Sequence, residues 1–478
     1  MKKFICLYLF SISFAGIIKP QYGDTLNYRD VLVQWEQVPD AVEYELEIYD
    51  SSEQLLITIV DSSLITFVLG IFDWNSNYQL VLNSFGSNMD SLSTDTSILY
   101  MNRLTIRDFL PLTTNFVNSE SYSEGYTVMD DVVIDKFGEV VLFMPTNSNG
   151  GHFTFTNQLE NGDFLGIGYG GSVGGCILNR EGEILYDTIS EIGNVHHDFF
   201  PMGNGNFIGL VVGIDVNDIP EGPWEDQFAE NGISTLRWKY DDIVEVDAMG
   251  NEIWRWSTND HFSKEDFDPN WFNVNNLINN APNPVFDWTH SNAVFFDPIE
   301  SMIYLSSRHL SRITKISYPE GQIVWMIGKE FTDSGVLFDE QLQISSQHAI
   351  KLLDNGNLML FNNGNHNIPQ LSSCIEFQIE ENNNQLSYNL VWEHILEPEN
   401  YSSRLGDCDR LPNGNSLLTS GDVGYAIEVD GNNNVVWDAR ANYQQNGPHI
   451  TYYDFYRSER IDGLYPLAYS VMIENFKK

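Results

Sequence analysis

Cations are the scarcest chemistry in this chain. Its 478 residues carry 24 Lys and Arg against 67 Asp and Glu, a formal net charge of −43. A surface of that sign repels phosphate backbones and anionic lipid, which excludes nucleic-acid binding as the main function. A negatively charged substrate also approaches against the field, so any anion site has to be locally basic. Long apolar runs are missing as well. No stretch after the N-terminus approaches the roughly 18 apolar residues of a membrane span. The N-terminus itself, with Met1-Lys2-Lys3, the short apolar run Phe4 to Phe14 and a small-x-small site at Ser13-Phe14-Ala15, reads as a secretory signal over residues 1–15. The expected location is therefore periplasmic or secreted. Cysteine is rare. Cys6 falls inside the signal, and Cys176, Cys374 and Cys408 remain, an odd set that permits at most one internal disulfide. Cys374–Cys408 is the expected pair, and none of the three has zinc-site spacing. There is no HExxH, P-loop, GxSxG or paired CxxC element. The Gly-rich tract 166–175 has no helical pattern after it, which argues against a nucleotide cradle.

What is abundant points to strands. Aromatics at 13% and 36 glycines, with few long helical patterns, predict an all-β protein rich in turns. Residues 24–105 form a first unit: Val31–Trp35, Glu43–Ile48 and Asn77–Leu82 alternate with period two between polar turns, as strands of a small β-sandwich do. Trp35, Tyr44 and Tyr78 give it a resemblance to fibronectin type III domains, with Tyr78 the candidate tyrosine corner. Nothing in it reads as catalytic.

From residue 106 to 478 a degenerate repeat takes over. One half is a strand, an Asn-Gly turn and a strand, as in His348–Phe361, His197–Phe207, Arg410–Leu418 and, more weakly, Leu159–Leu165. The other half ends in an aromatic, as in Ile243–Trp254, Ile313–Trp325 and Ile427–Trp437; fainter copies are Ile134–Phe143, Ile177–Tyr186 and Ile375–Trp392. Asn-Gly between alternating runs is a strong hairpin signal. Two hairpins per repeat and six copies of the second half predict a six-bladed β-propeller, with a solenoid the weaker alternative because the repeats vary in length. Residues 255–286 read as an insertion over one face.

The repeat phase singles out residues. His197, His290 and His348 each lie seven positions before the turn residue of their hairpin, Asn204, Asp297 and Asn355. In a propeller the first strand of each blade is innermost, so the three histidines are expected to converge near the axis at one end. Gly406, at the same phase in another blade, would leave room for a substrate. Arg308 follows His290 by one hairpin and is expected back at that end. His196 and His309 are expected to point to the faces opposite His197 and Arg308, as supporting residues. Three histidines can bind zinc or copper, but an arginine beside them opposes a dication and suits an oxyanion; no metal or other cofactor is expected.

Asp287-Trp-Thr-His-Ser-Asn-Ala293 with Ser306-Ser-Arg-His309, Ser346-Gln-His-Ala349, His196-His-Asp198 and the late Tyr456-Arg-Ser-Glu-Arg-Ile461 together resemble the bacterial aryl-sulfate sulfotransferases, over roughly residues 106–478. The resemblance implies an exported six-bladed propeller behind an N-terminal β-sandwich. It implies transfer of a sulfuryl group from a phenolic sulfate ester to a phenolic acceptor through a sulfohistidine, without a nucleotide donor. By motif position His348 is the nucleophile, with Arg308 and Asn292 on the sulfuryl oxygens. His290 and His197 would bind oxygens or shuttle a proton, and Thr419 would complete the site. The partners are small phenols and phenolic sulfates. Dimerisation through the N-terminal domain does not transfer on these residues, and a homodimer stays open. The rival reading is a non-catalytic secreted propeller that holds a sulfated or anionic glycan in the same channel.

Overall fold

The chain is nearly all β, with period-two burial in the strands of its first unit and strands buried on both faces in much of the rest. The computed structural model describes residues 16–104, 110–116, 118, 120–145, 152–169, 174–188, 192–193, 195–331, 343–382, 385–446 and 449–466. The expected signal, 1–15, lies outside them. Contacts divide the described residues into two units, one holding 16–104 and Val141–Pro145, the other holding the rest.

In the first unit Val31, Val33 and Trp35 are buried on one face of their strand, as are Tyr44, Leu46 and Ile48, and Tyr78, Leu80 and Leu82 on theirs. Each such side chain contributes about 1.5–3 kcal/mol on leaving water. The strands form a sheet of three, Ile17–Lys19, Val31–Trp35 and Ile65–Val68, and a sheet of five in which Thr25–Leu26, Ser91–Met101, Asn77–Phe85, Glu43–Tyr49 and Leu55–Asp61 follow in that order. The Tyr78 hydroxyl accepts from the Asp73 amide at 2.8 Å, a reach back along the chain that fits the tyrosine-corner expectation.

The second unit is a succession of antiparallel sheets, each built from hairpins in chain order. The first holds His152–Gln158, Phe164–Tyr169, Gly175–Leu178 and Ile184–Asp187. The second holds Val195–Pro201, Phe207–Asp218, Thr235–Val246 and Glu252–Ser257. The third holds Ser291–Asp297, Met302–Ser307, Arg312–Ser317 and Ile323–Gly328. The fourth holds His348–Leu352, Leu358–Asn362, Ser373–Asn382 and Gln385–Ile395. The fifth holds Asp407–Arg410, Ser416–Ser420, Tyr425–Val429 and Val435–Arg440, with Thr113–Phe116 added at its edge. A sixth sheet joins chain-distant strands: Ser458–Ile461 pairs with Tyr126–Met129, which pairs with Val132–Ile134. The leading strands of the second, third, fourth and fifth sheets touch one another in sequence.

Polar side chains stitch neighbouring sheets where these leading strands meet. Asp198 Oδ2 accepts from the Val294 amide at 3.1 Å, the Asn292 amide donates to the Gln347 carbonyl at 2.8 Å, and the Asn363 amide donates to the Ser402 and Leu405 carbonyls at 2.9 and 2.8 Å. Burial makes each of these bonds costly to lose. Cys374 and Cys408, both fully buried, form a disulfide between the fourth and fifth sheets with Cα atoms 5.9 Å apart. The insertion folds as short helices, Thr258–His261, Pro269–Trp271 and Val274–Asn279, and then a strand, Val285–Asp287, parallel to the second sheet's long strand. Phe262, Phe267, Phe272 and Leu277 anchor it on Trp238, Phe286 and Trp288.

Candidate active site

The three phased histidines lie at the starts of adjacent leading strands, and each start is irregular. Register shifts fall between His196 and Phe199, between Ser291 and Ala293, and between His348 and Lys351. Left-handed backbone occurs at His197 (φ 60°), His290 (φ 45°) and Ala349 (φ 55°). A bulge re-aims a side chain, and a non-glycine residue at positive φ costs of order 1–3 kcal/mol, so the surrounding bonds hold these turns against strain.

The rings meet. His197 and His290 stand edge to face with centroids 5.0 Å apart; His290 stacks on His309 at 4.4 Å, and His309 stacks on Trp271 at 4.2 Å. Arg308 lies with its guanidinium carbon 4.4 Å from the Trp271 centroid and donates to the Ser403 carbonyl at 3.0 Å. Its Nε is buried without a hydrogen-bond partner. The expectation that His196 and His309 point away from His197 and Arg308 fails. His196 Nδ1 is 2.6 Å from His197 Nδ1, because the bulge breaks the strand's alternation there. Arg308 and His309 lie beyond the end of Met302–Ser307, in a turn where period two does not apply.

The bond made by each Nδ1 fixes its ring. His348 Nδ1 is 2.6 Å from Asn363 Oδ1; the Asn363 NH2 is spent on two carbonyls, so that oxygen accepts and His348 carries its hydrogen on Nδ1. His309 Nδ1 donates to the Asp287 carbonyl at 2.5 Å. His290 Nδ1 and Lys239 Nζ both lie 2.8 Å from Asp287 Oδ2. Burial would raise the Asp287 carboxyl, but the bond from His290 and the charges of His290 and Lys239 outweigh it and hold it well below the usual range. An ionised Asp287 only accepts, so His290 also carries its hydrogen on Nδ1. His348 thus keeps the Nε2 lone pair, and neither its Nε2 nor that of His290 has a hydrogen-bond partner among the described residues. Burial, then the charge of Arg308, pushes His348 well below the ordinary histidine value, and burial pushes His309 down to about 3.

Asn292 donates one hydrogen of its NH2 to the Gln347 carbonyl at 2.8 Å, and its oxygen is buried without a partner. The buried Thr419 hydroxyl is shared with the Ser458 hydroxyl and accepts the Ser458 amide at 2.9 Å, joining the fifth and sixth sheets. Gly406 is no opening for substrate either. At φ 118° its added Cβ would lie 2.4 Å from the Phe361 ring, so the glycine makes way for Phe361. Asp241, Asp287, Trp271 and Asn363 were not among the expected residues. Asn363 follows His348 by one hairpin, the logic that found Arg308.

A model of the arylsulfotransferase (ASST) family matches residues 104–457. The chain belongs to the arylsulfotransferase family. No curated protein matches it. Similar solved structures include a Bacteroides caccae protein of unknown function (13% identity, 70% of this chain and 96% of that one, TM-score 0.36). Others are a virginiamycin B lyase from Staphylococcus aureus (10%, 68% and 73%, 0.28) and a putative 6-phosphogluconolactonase from Bacteroides fragilis (11%, 89% and 100%, 0.32). At such TM-scores none of them carries an argument.

For an arylsulfotransferase the relevant chemistry is at hand. The family implies phenolic substrates, and among the described residues no helix is long and apolar enough to cross a membrane. Burial lowers Arg308 to about 10, which leaves it a cation at neutral pH with an unpartnered N–H. The donor atoms that come close enough for a metal are those of Asp287, His290 and His309, not the three phased histidines. In that trio Asp287 Oδ2 is shared by Lys239 and His290, and His309 Nδ1 donates to the Asp287 carbonyl.

Proposed function

We propose that the protein moves a sulfuryl group from a phenolic sulfate ester to a phenol through a sulfohistidine at His348, without a nucleotide sulfate donor. The observation that carries this reading is the Asn363–His348 pair, a buried neutral imidazole locked in the tautomer that leaves Nε2 as a nucleophile, in the field of Arg308. His348 Nε2 attacks sulfur, the aryl oxygen leaves with the electron pair of the S–O bond, and Arg308 stabilises the charge that builds on the sulfuryl oxygens. A phenol then takes the group from His348. The stacked Trp271–His309–His290 column holds that wall rigid, and rigid positioning is worth several orders of magnitude in rate.

We also infer the setting. The successive sheets act as six propeller blades, with the pairing of Ser458–Ile461 to Tyr126–Met129 as the seam, and the first unit is a fibronectin type III-like sandwich with an accessory role over 24–105. Export follows from the N-terminal sequence. The test is an assay with 4-nitrophenyl sulfate and a phenol. Release of 4-nitrophenol that depends on the acceptor, and is abolished in His348→Ala, is expected; full activity in that variant would overturn the assignment.

A further inference from the structure

We propose that the projecting hairpin of the second sheet is a substrate subsite, shaped for phenols whose ring carries an extended apolar arm ending in an anionic group. The inference rests on the sulfuryl-transfer reading and names the class of substrate for that site.

Phe207–Asp218 and Thr235–Val246 have 12 residues each, against 6 and 6 for the middle strands of the third sheet and 5 and 5 for those of the fifth. They pair without a register shift, from Phe207 opposite Val246 to Asp218 opposite Thr235. The leading strand begins at Val195, which pairs with Val211. From Val212 onward the hairpin therefore outruns that strand, at the end where His196 and His197 lie. Residues directly opposite in a regular ladder share a face, and alternate residues along a strand return to it. One face of the projection carries the buried Leu236 and Trp238, and Trp238 packs edge to face on Phe286 and Trp288. The other face carries Val212, Ile214 and Val216, with Asp241, Lys239 and Arg237 opposite them. Asp287 and Val285 continue that face on the parallel strand, beside Lys239 and Arg237.

This second face runs outward from the candidate site. Asp241 Oδ2 accepts from the Thr289 hydroxyl and the Ser291 amide, both at 2.6 Å. Lys239 Nζ meets Asp287 Oδ2, the oxygen that also holds His290. Beyond that corner a face that met only water would be polar. Instead Val285, Val212, Ile214 and Val216 are 39, 42, 43 and 60% exposed. Threonine would satisfy strand propensity there without exposing aliphatic surface. A contiguous row of exposed aliphatic side chains marks a binding surface. Its continuity with Lys239, Asp287 and His290 selects the occupant, a substrate whose ring is held at the histidines and whose arm lies along the hairpin. Arg237 stands two residues beyond Lys239, about 7 Å further out, and forms no ion pair with another described residue. In a chain with 67 acidic and 24 basic residues, a cation left unneutralised at the end of an apolar strip suits an anionic terminus.

The test compares acceptors in the full chain with 4-nitrophenyl sulfate as donor: phenol, 4-butylphenol, 4-(4-hydroxyphenyl)butanoate and the amide of that acid. For an arm covered on one side, kcat/KM is expected to rise about twofold per methylene from phenol to 4-butylphenol. The carboxylate is expected to exceed its amide about twofold to fivefold. In the double variant Ile214→Ser with Val216→Ser, the ratio of 4-butylphenol to phenol is expected to fall toward one. In Arg237→Gln the carboxylate is expected to lose its advantage over the amide. Equal kcat/KM for phenol and 4-butylphenol in the parent, or ratios unmoved by the variants, would overturn the subsite. Self-association of the parent that the double variant abolishes, with the ratios unchanged, would assign the face to a second copy instead. No transfer to any acceptor would remove the sulfuryl-transfer reading. Calorimetry of the butanoate without donor then decides the face alone: weaker binding in both variants supports it, and equal binding overturns it.

Discussion

At the scale of single residues, the site is governed by what each histidine's Nδ1 touches. Asn363 acts on His348 as an orienting group and touches no reacting atom. Asn363→Ala frees the ring to adopt the other tautomer and is expected to lower kcat about 10²–10⁴-fold in steady-state kinetics; it also strips the buried Ser402 and Leu405 carbonyls of their donor, so a lower melting temperature is expected as well. Arg308 is a flat guanidinium beside the Trp271 ring, and lysine cannot reproduce both the plane and the fork of donors. Arg308→Lys is expected to cut kcat/KM for aryl sulfates about 10²-fold or more. The sequence made His197, His290, His348 and Arg308 legible because a repeat puts residues of equal phase at equal depth. Asn292 and Thr419 were legible as motif members, but their hydrogen bonds turn them toward neighbouring strands. Sequence spacing carries no information on which polar groups are already spent.

At the scale of elements, the Asn-Gly turns announced the hairpins at Leu159–Leu165, His197–Phe207, His348–Phe361 and Arg410–Leu418, because that signal is local; the pairing of Tyr443–Asn446 with His449–Tyr452 carried no such signal. The inter-sheet stitches were illegible, since Asp198, Asn292 and Asn363 find partners far along the chain. The insertion was legible as an insertion and no further. What its sequence does not declare is that Trp271 lands on His309 and Arg308 while Asp268 lies 3.3 Å from His366 Nδ1. Trp271→Ala removes a stacking partner from a cation and an imidazole, an interaction worth about 0.5–2 kcal/mol. A loss of about tenfold in kcat/KM is expected, largely restored in Trp271→Phe. The disulfide closes a separation of 34 residues between two sheets. Replacing Cys374 and Cys408 with serine is expected to cost about 3–4 kcal/mol of stability, read from denaturant midpoints, while leaving kcat near that of the parent.

At the scale of the molecule, several of the scarce cations are spent inside. Arg457 pairs with Asp198 at 3.3 Å, and Lys351 reaches Asp407 at 3.2 Å and bonds Asp409. These groups and Glu459 sit together, several of them lining a cavity of about 690 Å³. Burial, then the charge of Asp409, pushes Glu459 up to about 8. A folded-state pKa raised above the unfolded value contributes stability that is full below the ordinary glutamate range and lost as pH rises through about 8. Relative to Glu459→Gln, the parent is expected to lose up to about 1.4 kcal/mol per pH unit across that window, less as water enters the cavity, and to level off above it. Chemical denaturation of both proteins at several pH values checks this. The most direct test of sulfuryl transfer is intact-mass analysis of acid-free samples quenched milliseconds after mixing with an aryl sulfate and no acceptor. The prediction is a gain of about 80 daltons, one SO₃, that maps to His348 and discharges when a phenol is added. Turnover with no such adduct, or an adduct that persists in His348→Ala, would contradict it.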